Sequence, residues 1–460
     1  MRTVGIIAEY NPFHTGHEYH IRKAKEAAGA DYAIVVMSPD FVQRGEPAVF
    51  DKYTRARMAL LGGADLVIEL PVCYAAGSAE YFAEGAVAIL DALDIVDVLC
   101  FGGESDDVNL FRQTAKILLD EPAEYAQMLR RALRDGKTFP QARCEALTNY
   151  IRMNPQLDNQ TADSGLETFL ATPNNILGIE YCKALLKRGS RITPLPILRQ
   201  GSAYNSNDFG GSFCSATALR GWIRTTEWNI PYNPNYAQRT SDYTALSAPA
   251  TRQCFSDHKV ISISPSIQNC ERSPLSYIPQ SCRELFLASA DHVLTSEDFL
   301  PYLNQKLLSM DDFSSILDIS SDLSDRILGS RFKCMGKSYE EIVALLKTRQ
   351  ITEARIRRAL LHLVLDLPTE TVADFRENGT VFYAHALGFR KSASPLLHAL
   401  KKQTKIPFVV KPATAVKELS GLAKKMWKQD LYASHLYRSI SASKYGTLFK
   451  TEYECSPVIF

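Results

Sequence analysis

The chain is short of net charge. Its 460 residues hold 52 Lys and Arg against 51 Asp and Glu, a balance of +1. Bulk charge therefore implies no polyanionic partner. No apolar run approaches the roughly 20 residues that cross a bilayer, and Met1-Arg2-Thr3 passes directly into a strand-like run. Neither a membrane segment nor a secretory leader is expected. The ten cysteines are scattered, with no Cys-x-x-Cys pair. Cys100 and Cys182 sit in apolar stretches. The pattern excludes a disulfide frame and a zinc ribbon, and suits small core residues in a reducing cytosol. Outside His14, His17 and His20, the nine histidines show no metal-ligand spacing.

The charge that is present is unevenly placed. Residues 1–100 hold eight basic and fourteen acidic side chains, a net of −6, whereas residues 381–460 hold thirteen basic and four acidic, a net of +9. A basic region behind an acidic front can bind phosphate backbones while the front does chemistry.

One stretch organises the rest: Ile7-Ala8-Glu9-Tyr10-Asn11-Pro12-Phe13-His14-Thr15-Gly16-His17-Glu18-Tyr19-His20. An apolar run, residues 3–8, precedes it and reads as a buried strand. A helical pattern, residues 18–28, follows. His14-Thr15-Gly16-His17 thus falls where a strand hands over to a helix, the place where open α/β sheets bind ligands. A helix start offers free N–H groups and a partial positive charge to phosphate. Gly16 permits close approach of a ligand to the backbone. Two imidazoles three residues apart share one face of the first turn, and both can donate to phosphoryl oxygens whose charge grows in a transition state.

Strand and helix then alternate. Strands are expected at 31–37, 66–71, 96–101 and 192–198, with helices at 51–61 and 79–93, which implies a doubly wound parallel sheet. On the 51–61 helix, Lys52, Arg55 and Arg57 are assigned to the polar side. The Pro- and Gly-marked loop 38–47 follows a strand end. Asp40, Gln43 and Arg44 there are candidate contacts for a carboxylate or phosphate, although the same residues suit a solvated loop. Gly102-Gly103 after a strand could lie flat against a nucleotide or simply turn. Asn174 and Asn175 open a helix, where capping is the default role. Arg199 follows a strand end. Ser215, Thr217 and Arg220 begin another helix, an arrangement that suits outer phosphates as well as a plain cap.

Residues 226–284 are rich in Asn, Pro, Ser and Tyr and read as an irregular connection. A mainly helical region, 285–460, follows. Arg355 and Arg358 stand at a helix entry. Lys401, Lys402, Lys424, Lys425 and Lys428 then alternate with Phe408, Trp427, Tyr432, Tyr437 and Tyr445. Basic charge with interleaved rings suits RNA, whose bases stack on aromatics, and also suits a solvated helical surface.

The first stretch resembles the HIGH-type nucleotidyltransferases, which attack the α-phosphate of ATP, and Ser215-Ala216-Thr217 with Arg220 resembles the Ile-Ser-Ser-Thr-x-x-Arg motif of small members. No Lys-Met-Ser-Lys-Ser sequence is present, which argues against an aminoacyl-tRNA synthetase. With Gly45-Glu46-Pro47, Asp65-Leu66-Val67-Ile68-Glu69-Leu70-Pro71 and Pro173-Asn174-Asn175-Ile176-Leu177-Gly178, the chain resembles the tRNA(Met) cytidine acetate ligase family. The match is best over residues 1–225, the nucleotidyltransferase-like part. The resemblance implies activation of acetate as acetyl-adenylate, then transfer to N4 of the wobble cytidine of elongator tRNA(Met), in the cytoplasm. It places ATP contacts on Ile7 to His20, on Gly102, on Asn174 or Asn175, and on Arg199 or Gln200. Mg²⁺ is expected to accompany the ATP phosphates, though no ligand cluster for it is evident. His14 and His17 would serve the α-phosphate, and Ser215, Thr217 and Arg220 the leaving pyrophosphate. Two rivals remain: a coenzyme-forming nucleotidyltransferase without RNA, and an RNA-binding protein with ATP as a switch.

Overall fold

The computed structural model describes residues 1–154, 163–199, 213–226 and 273–460. Among the described residues, ten strands occur in chain order: β1 (Thr3–Ala8), β2 (Tyr32–Met37), β3 (Phe41–Val42), β4 (Glu46–Pro47), β5 (Leu66–Glu69), β6 (Val98–Gly103), β7 (Thr193–Leu198), β8 (Ala384–Phe389), β9 (Phe408–Val409) and β10 (Val458–Ile459). Eight form one sheet in the order β10-β8-β5-β2-β1-β6-β7, with β9 beside β8, while β3 and β4 make a small separate ribbon. β1, β2, β5, β6 and β7 run parallel, in a register that pairs Ala8 with Met37, Met37 with Glu69, and Ile6 with Cys100. Their carboxyl ends share one edge, so the loops that begin at Glu9, Ser38, Glu104 and Arg199 open on one side of the sheet.

The expected doubly wound sheet is present, and the carboxy-terminal region completes it. β8 lies antiparallel against β5, and β9 and β10 follow β8 in parallel. Short length hid two of these strands and composition the third. β9 and β10 are two residues each, too short for any period, and Ala384-His385-Ala386-Leu387-Gly388-Phe389 lacks the β-branched residues that mark a strand.

β1 is central because it can be buried on both faces. Val4 and Ile6 are wholly buried. At Gly5 an added Cβ would come within 2.9 Å of Leu90 Cδ1 on the Ala79–Leu93 helix, so a larger residue would require that side chain to shift. On the other face, helices α1 (Thr15–Ala28) and α2 (Lys52–Leu61) pack with residues 213–226 and 273–290 in one cluster. Phe286 stacks on Trp222 (centroids 5.7 Å apart, planes 6° apart) and meets Phe50 edge-on at 5.4 Å. The described end of the 226–284 stretch is therefore seated in the core rather than left as a bare connection, since Ile278 and Cys282 are fully buried.

Two surface assignments are corrected. Lys52 and Arg55 are 1 % and 0 % exposed, because each finds carboxylate or carbonyl partners inside, as described below. In the 25-residue Gly421–Tyr445 helix, Trp427 and Tyr437 are core side chains, 2 % and 4 % exposed, and cannot stack on RNA. Tyr432 is exposed. Among the described residues, no helix is long and apolar enough to cross a membrane.

Candidate active site

The first motif leaves β1 through a tightly held turn. Tyr10 adopts φ +50° and the Asn11–Pro12 peptide is cis. The turn is fixed from outside. Arg55 Nη1 donates to the Glu9 carbonyl at 2.7 Å, Val49 N–H to Asn11 Oδ1 at 2.8 Å, and Arg220 Nη1 to the Asn11 carbonyl at 2.8 Å. His14 is the N-cap of α1, which explains why the helix begins earlier than its apolar period suggests. Its Nδ1 accepts the Gly16 N–H at 3.1 Å, while His17 Nδ1 accepts the His14 N–H at 3.3 Å. The two rings stack with centroids 3.7 Å apart. A Cβ on Gly16 would lie 2.9 Å from His14 Cε1, so Gly16 makes room for the His14 ring.

These bonds fix the chemistry of the pair. Burial, with Arg199 and Arg220 nearby, pushes His14 down to about 3. Burial and the neighbouring His14 hold His17 well below its usual range, and burial with Arg199 takes His20 to about 4. All three are neutral at physiological pH. In His14 and His17, Nδ1 already accepts a backbone N–H, so the ring proton is on Nε2. Both Nε2–H groups are hydrogen-bond donors at the start of a helix.

The third motif is tied directly to the first. Ser215 Oγ caps the Ala216–Thr225 helix by accepting the Ala218 N–H at 3.0 Å. Arg220 is 5 % exposed. Besides Asn11, its guanidinium donates to Thr217 Oγ1 at 3.1 Å and pairs with Glu46 Oε1 at 3.3 Å. Arg220 is thus a clamp between motifs first. Because Thr217 Oγ1 accepts from it, the Thr217 hydroxyl proton is left to donate.

On the other flank, Glu104 knits β6 to the Pro173–Arg188 helix. Its N–H donates to Asn175 Oδ1 at 2.9 Å, and its carboxylate accepts Asn174 Nδ2 at 2.5 Å and the Asn175 N–H at 3.2 Å. Arg199 Nη1 reaches Asn174 Oδ1 at 3.1 Å, and its side chain covers Gly102, where a Cβ would lie 3.2 Å from Cγ. Asn175, 1 % exposed, is a structural lock, while Asn174 and Arg199 form the rim. Gln200 lies outside the described residues.

Loop 38–50 departs from expectation at Asp40. It is 1 % exposed. Its Oδ1 accepts the Lys52 N–H at 2.8 Å and its Oδ2 the Ser434 hydroxyl at 3.0 Å, so both oxygens are spent within the protein and cannot serve acetate or phosphate. Burial pushes this carboxyl up to about 6 against the pull of Lys52. Gln43 contributes its backbone N–H to Glu9 Oε1 at 2.9 Å, and the charge of Arg44 acts on Glu9 and Glu46.

Arg55 has no sequence signal and matters most to this edge. Its guanidinium donates to the carbonyls of Glu9, Ser38 (2.9 Å), Pro39 and Phe50 (2.9 Å), joining the loops that leave β1 and β2. Lysine cannot reproduce that fork. Arg55→Lys is expected to cost about 2–4 kcal/mol on urea unfolding. A change below about 0.5 kcal/mol, within the range of an ordinary surface substitution, would show that solvent replaces the missing donors.

A family model described as HIGH Nucleotidyl Transferase matches residues 1–451. The tRNA(Met) cytidine acetate ligase of Thermoanaerobacter sp. (strain X514) is 37 % identical over 440 residues, 95 % of each chain. The chain belongs to the tRNA(Met) cytidine acetate ligase family of HIGH nucleotidyl transferases. Thermotoga maritima TmcAL bound with alpha-thio ATP is 29 % identical with a TM-score of 0.80, and its apo form is 30 % identical with a TM-score of 0.82. Both comparisons cover 100 % of each chain.

In this HIGH nucleotidyl transferase the basic carboxy-terminal surface is built mainly of lysines. Lys401, Lys402, Lys424, Lys425 and Lys428 are exposed. Arg355 and Arg358 are turned inward, their Nε atoms donating to the Asp318 carbonyl (3.1 Å) and carboxylate (2.9 Å). Beneath this surface lies a buried charge network. Lys52 Nζ is 2.7 Å from Glu69 Oε1, 2.8 Å from Glu452 Oε1 and 2.7 Å from Ser434 Oγ. Glu69 also binds His385 Nδ1 at 2.5 Å, and Glu452 binds Arg438 at 2.8 Å. Glu69, His385 and Glu452 offer three ligand atoms within 4.8 Å of one another, but the Lys52 ammonium already contacts both carboxylates, in the place a cation would take.

Proposed function

We propose that this chain is a cytoplasmic tRNA(Met) cytidine acetate ligase. It activates acetate with ATP, releasing pyrophosphate, and acetylates N4 of the wobble cytidine of elongator tRNA(Met). The observation that carries the reading is the stacked, neutral pair His14 and His17, each with Nε2–H free to donate, at the start of α1 on the ligand edge of the sheet. Carboxylate is a poor acyl donor until its oxygen becomes part of a good leaving group, and AMP supplies one. The protein has to position the reactants and neutralise phosphate charge.

In this reading His14 and His17 donate to the α-phosphate as charge builds there. Thr217, the capped helix start at Ser215 and the remaining N–H groups of Arg220 hold the pyrophosphate. Gly102, Asn174 and Arg199 border the nucleotide. Gln43 and Arg44 stand where acetate would approach. Mg²⁺ would arrive on the ATP phosphates rather than in a protein cage. Among the described residues the one three-ligand cluster is filled by Lys52, and Glu46 and Glu104 are committed to protein partners. The ion would supply charge neutralisation of the leaving phosphates. The coenzyme-forming alternative gives the carboxy-terminal lysines no purpose.

The test is pyrophosphate release from ATP with acetate or other small carboxylates, with and without tRNA. Acetate-dependent release followed by acetyl label in tRNA(Met) is expected. Release that requires a phosphorylated small molecule instead would overturn the assignment. For the RNA footprint, replacing Lys424 and Lys425 together by Ala should weaken tRNA binding and flatten the plot of log affinity against log salt by about 0.7–0.9 per lost phosphate contact. An unchanged slope would remove both lysines from the interface.

A further inference from the structure

The transfer step needs a proton acceptor, because the exocyclic amine of a cytidine is a weak nucleophile that must lose a proton as it attacks. The histidines do not supply one. In His14 and His17, Nδ1 accepts a backbone N–H and Nε2 carries the ring proton, so neither ring has a free lone pair. His20 lies on α1 with its Nε2 3.6 Å from Cys100 Sγ, which turns the ring toward β6. Among the carboxylates, Asp40 is buried with both oxygens taken. Glu46 pairs with Arg220 and Arg224, and Glu104 holds Asn174 and Asn175.

Glu9 remains. It follows β1 directly on the ligand edge, five residues before His14, and is partly exposed. Gln43 N–H anchors Oε1 at 2.9 Å, while Oε2 accepts no hydrogen bond among the described residues. We propose that Glu9 is the general base of acetyl transfer, receiving through Oε2 the proton lost by the cytidine amine. The inference rests on the acetate ligase reading. In the step, the N4 lone pair forms the C–N bond to the acetyl carbonyl carbon. The carbon–oxygen bond to AMP breaks with its electron pair leaving on the AMP phosphate. The N4 proton passes to the carboxylate and then to solvent. Positioning suits the order of events. Before activation, Arg44 and Arg220 balance Glu9 against the charge of acetate. After activation the acyl group is neutral and a carboxylate beside it meets no repulsion.

The groups that act on Glu9 are Arg44 and Glu46 from the loop that carries β4 and Arg220 from the Ala216–Thr225 helix. Burial raises the Glu9 carboxyl, and Arg44, the Gln43 N–H and Arg220 draw it partly back. A base so raised holds a proton better than an ordinary carboxylate does.

The experiment separates the two half-reactions in Glu9→Gln, which retains an acceptor for the Gln43 N–H. Acetyl-adenylate is trapped with hydroxylamine, a strong nucleophile that needs no protein base, and acetyl transfer to tRNA(Met) is measured alongside. Transfer is expected to fall by about 10²–10⁴-fold, at least about 10-fold more than any fall in hydroxamate formation that comes from the place of Glu9 in the ATP stretch. The wild-type transfer rate should rise with pH along an acidic limb that the variant lacks, and Glu9→Asp should recover part of the transfer rate. Equal loss of hydroxamate and transfer would make Glu9 a group for ATP, Mg²⁺ or folding and overturn the proposal. Undiminished transfer would also overturn it. Failure of the wild-type protein to form hydroxamate from acetate and ATP would instead remove the ligase reading, and this inference with it.

Discussion

His14→Ala is expected to slow acetyl-adenylate formation by about 10²–10³-fold, the usual consequence of removing one preorganised donor from a site of developing oxyanion charge. The measurement is acetate-dependent ATP–pyrophosphate exchange, with tRNA binding followed separately. Binding should persist, because the lysines proposed to hold tRNA lie on the carboxy-terminal helices. An unchanged exchange rate would remove His14 from the chemistry. The same imidazole accepts the Gly16 N–H, so alanine also loses an N-cap, worth about 1 kcal/mol. His14→Asn separates the two effects, since asparagine caps well but has no Nε2–H at that reach. It should regain stability and stay slow. The neutral rings also set a pH signature. Their folded values lie below the ordinary histidine value, so the unfolded chain binds more protons as the medium is acidified. The stability they contribute is present above about pH 6.5 and is lost as pH falls toward the folded values of about 3 to 4. Urea midpoints between pH 7.5 and 5 should fall in the wild type, and fall less steeply in His14→Asn.

Lys52→Met is expected to carry the largest stability cost, about 3–5 kcal/mol, because it leaves two buried carboxylates without their shared cation. Glu69 and Glu452 lie 2.7 and 2.8 Å from Lys52 Nζ, and both are wholly enclosed. The loss spreads beyond one contact. The network joins β5, α2, the Gly421–Tyr445 helix through Ser434 and Arg438, and the segment at Glu452 next to β10. Urea unfolding measures it, and a loss under 1 kcal/mol would show that the carboxylates protonate at little expense. Lys52→Met combined with Glu69→Gln and Glu452→Gln should recover much of the loss, since neutral amides need no counter-ion. Against the cost of burial, Lys52 and Arg438 hold the Glu452 carboxyl down to about 2. Its contribution is therefore complete above the ordinary glutamate value of about 4.3 and disappears as pH falls from there to about 2. Glu452→Gln should remove that part of the acid sensitivity.

The sequence by itself determined which edge of the sheet carries the candidate site. Alternating apolar runs and helical periods required a parallel sheet, and a His-x-Gly-His after its first strand marked a helix start, because both follow from local backbone geometry and side-chain period. Ser215, Thr217 and Arg220 were legible as a second helix start for the same reason. What only the tertiary structure decided depends on contacts between residues far apart in the chain. Arg220 binds Asn11, 209 positions away, and this makes it a clamp between motifs. Lys52 and Arg55 look like surface groups by period and Asp40 like a loop contact for a ligand, yet all three are buried because Ser434, Glu452 and loop carbonyls come to meet them. Trp427 and Tyr437 look like an RNA platform and instead fill the core. Strands β9 and β10 carry too few residues to show a period and β8 lacks β-branched residues; β8 forms against the edge that β5 offers, and β9 and β10 then pair with β8. Local pattern fixes which backbone form a segment takes. Which charges are buried, and which imidazole nitrogen keeps its proton, is decided by partners that the fold alone brings within hydrogen-bonding distance.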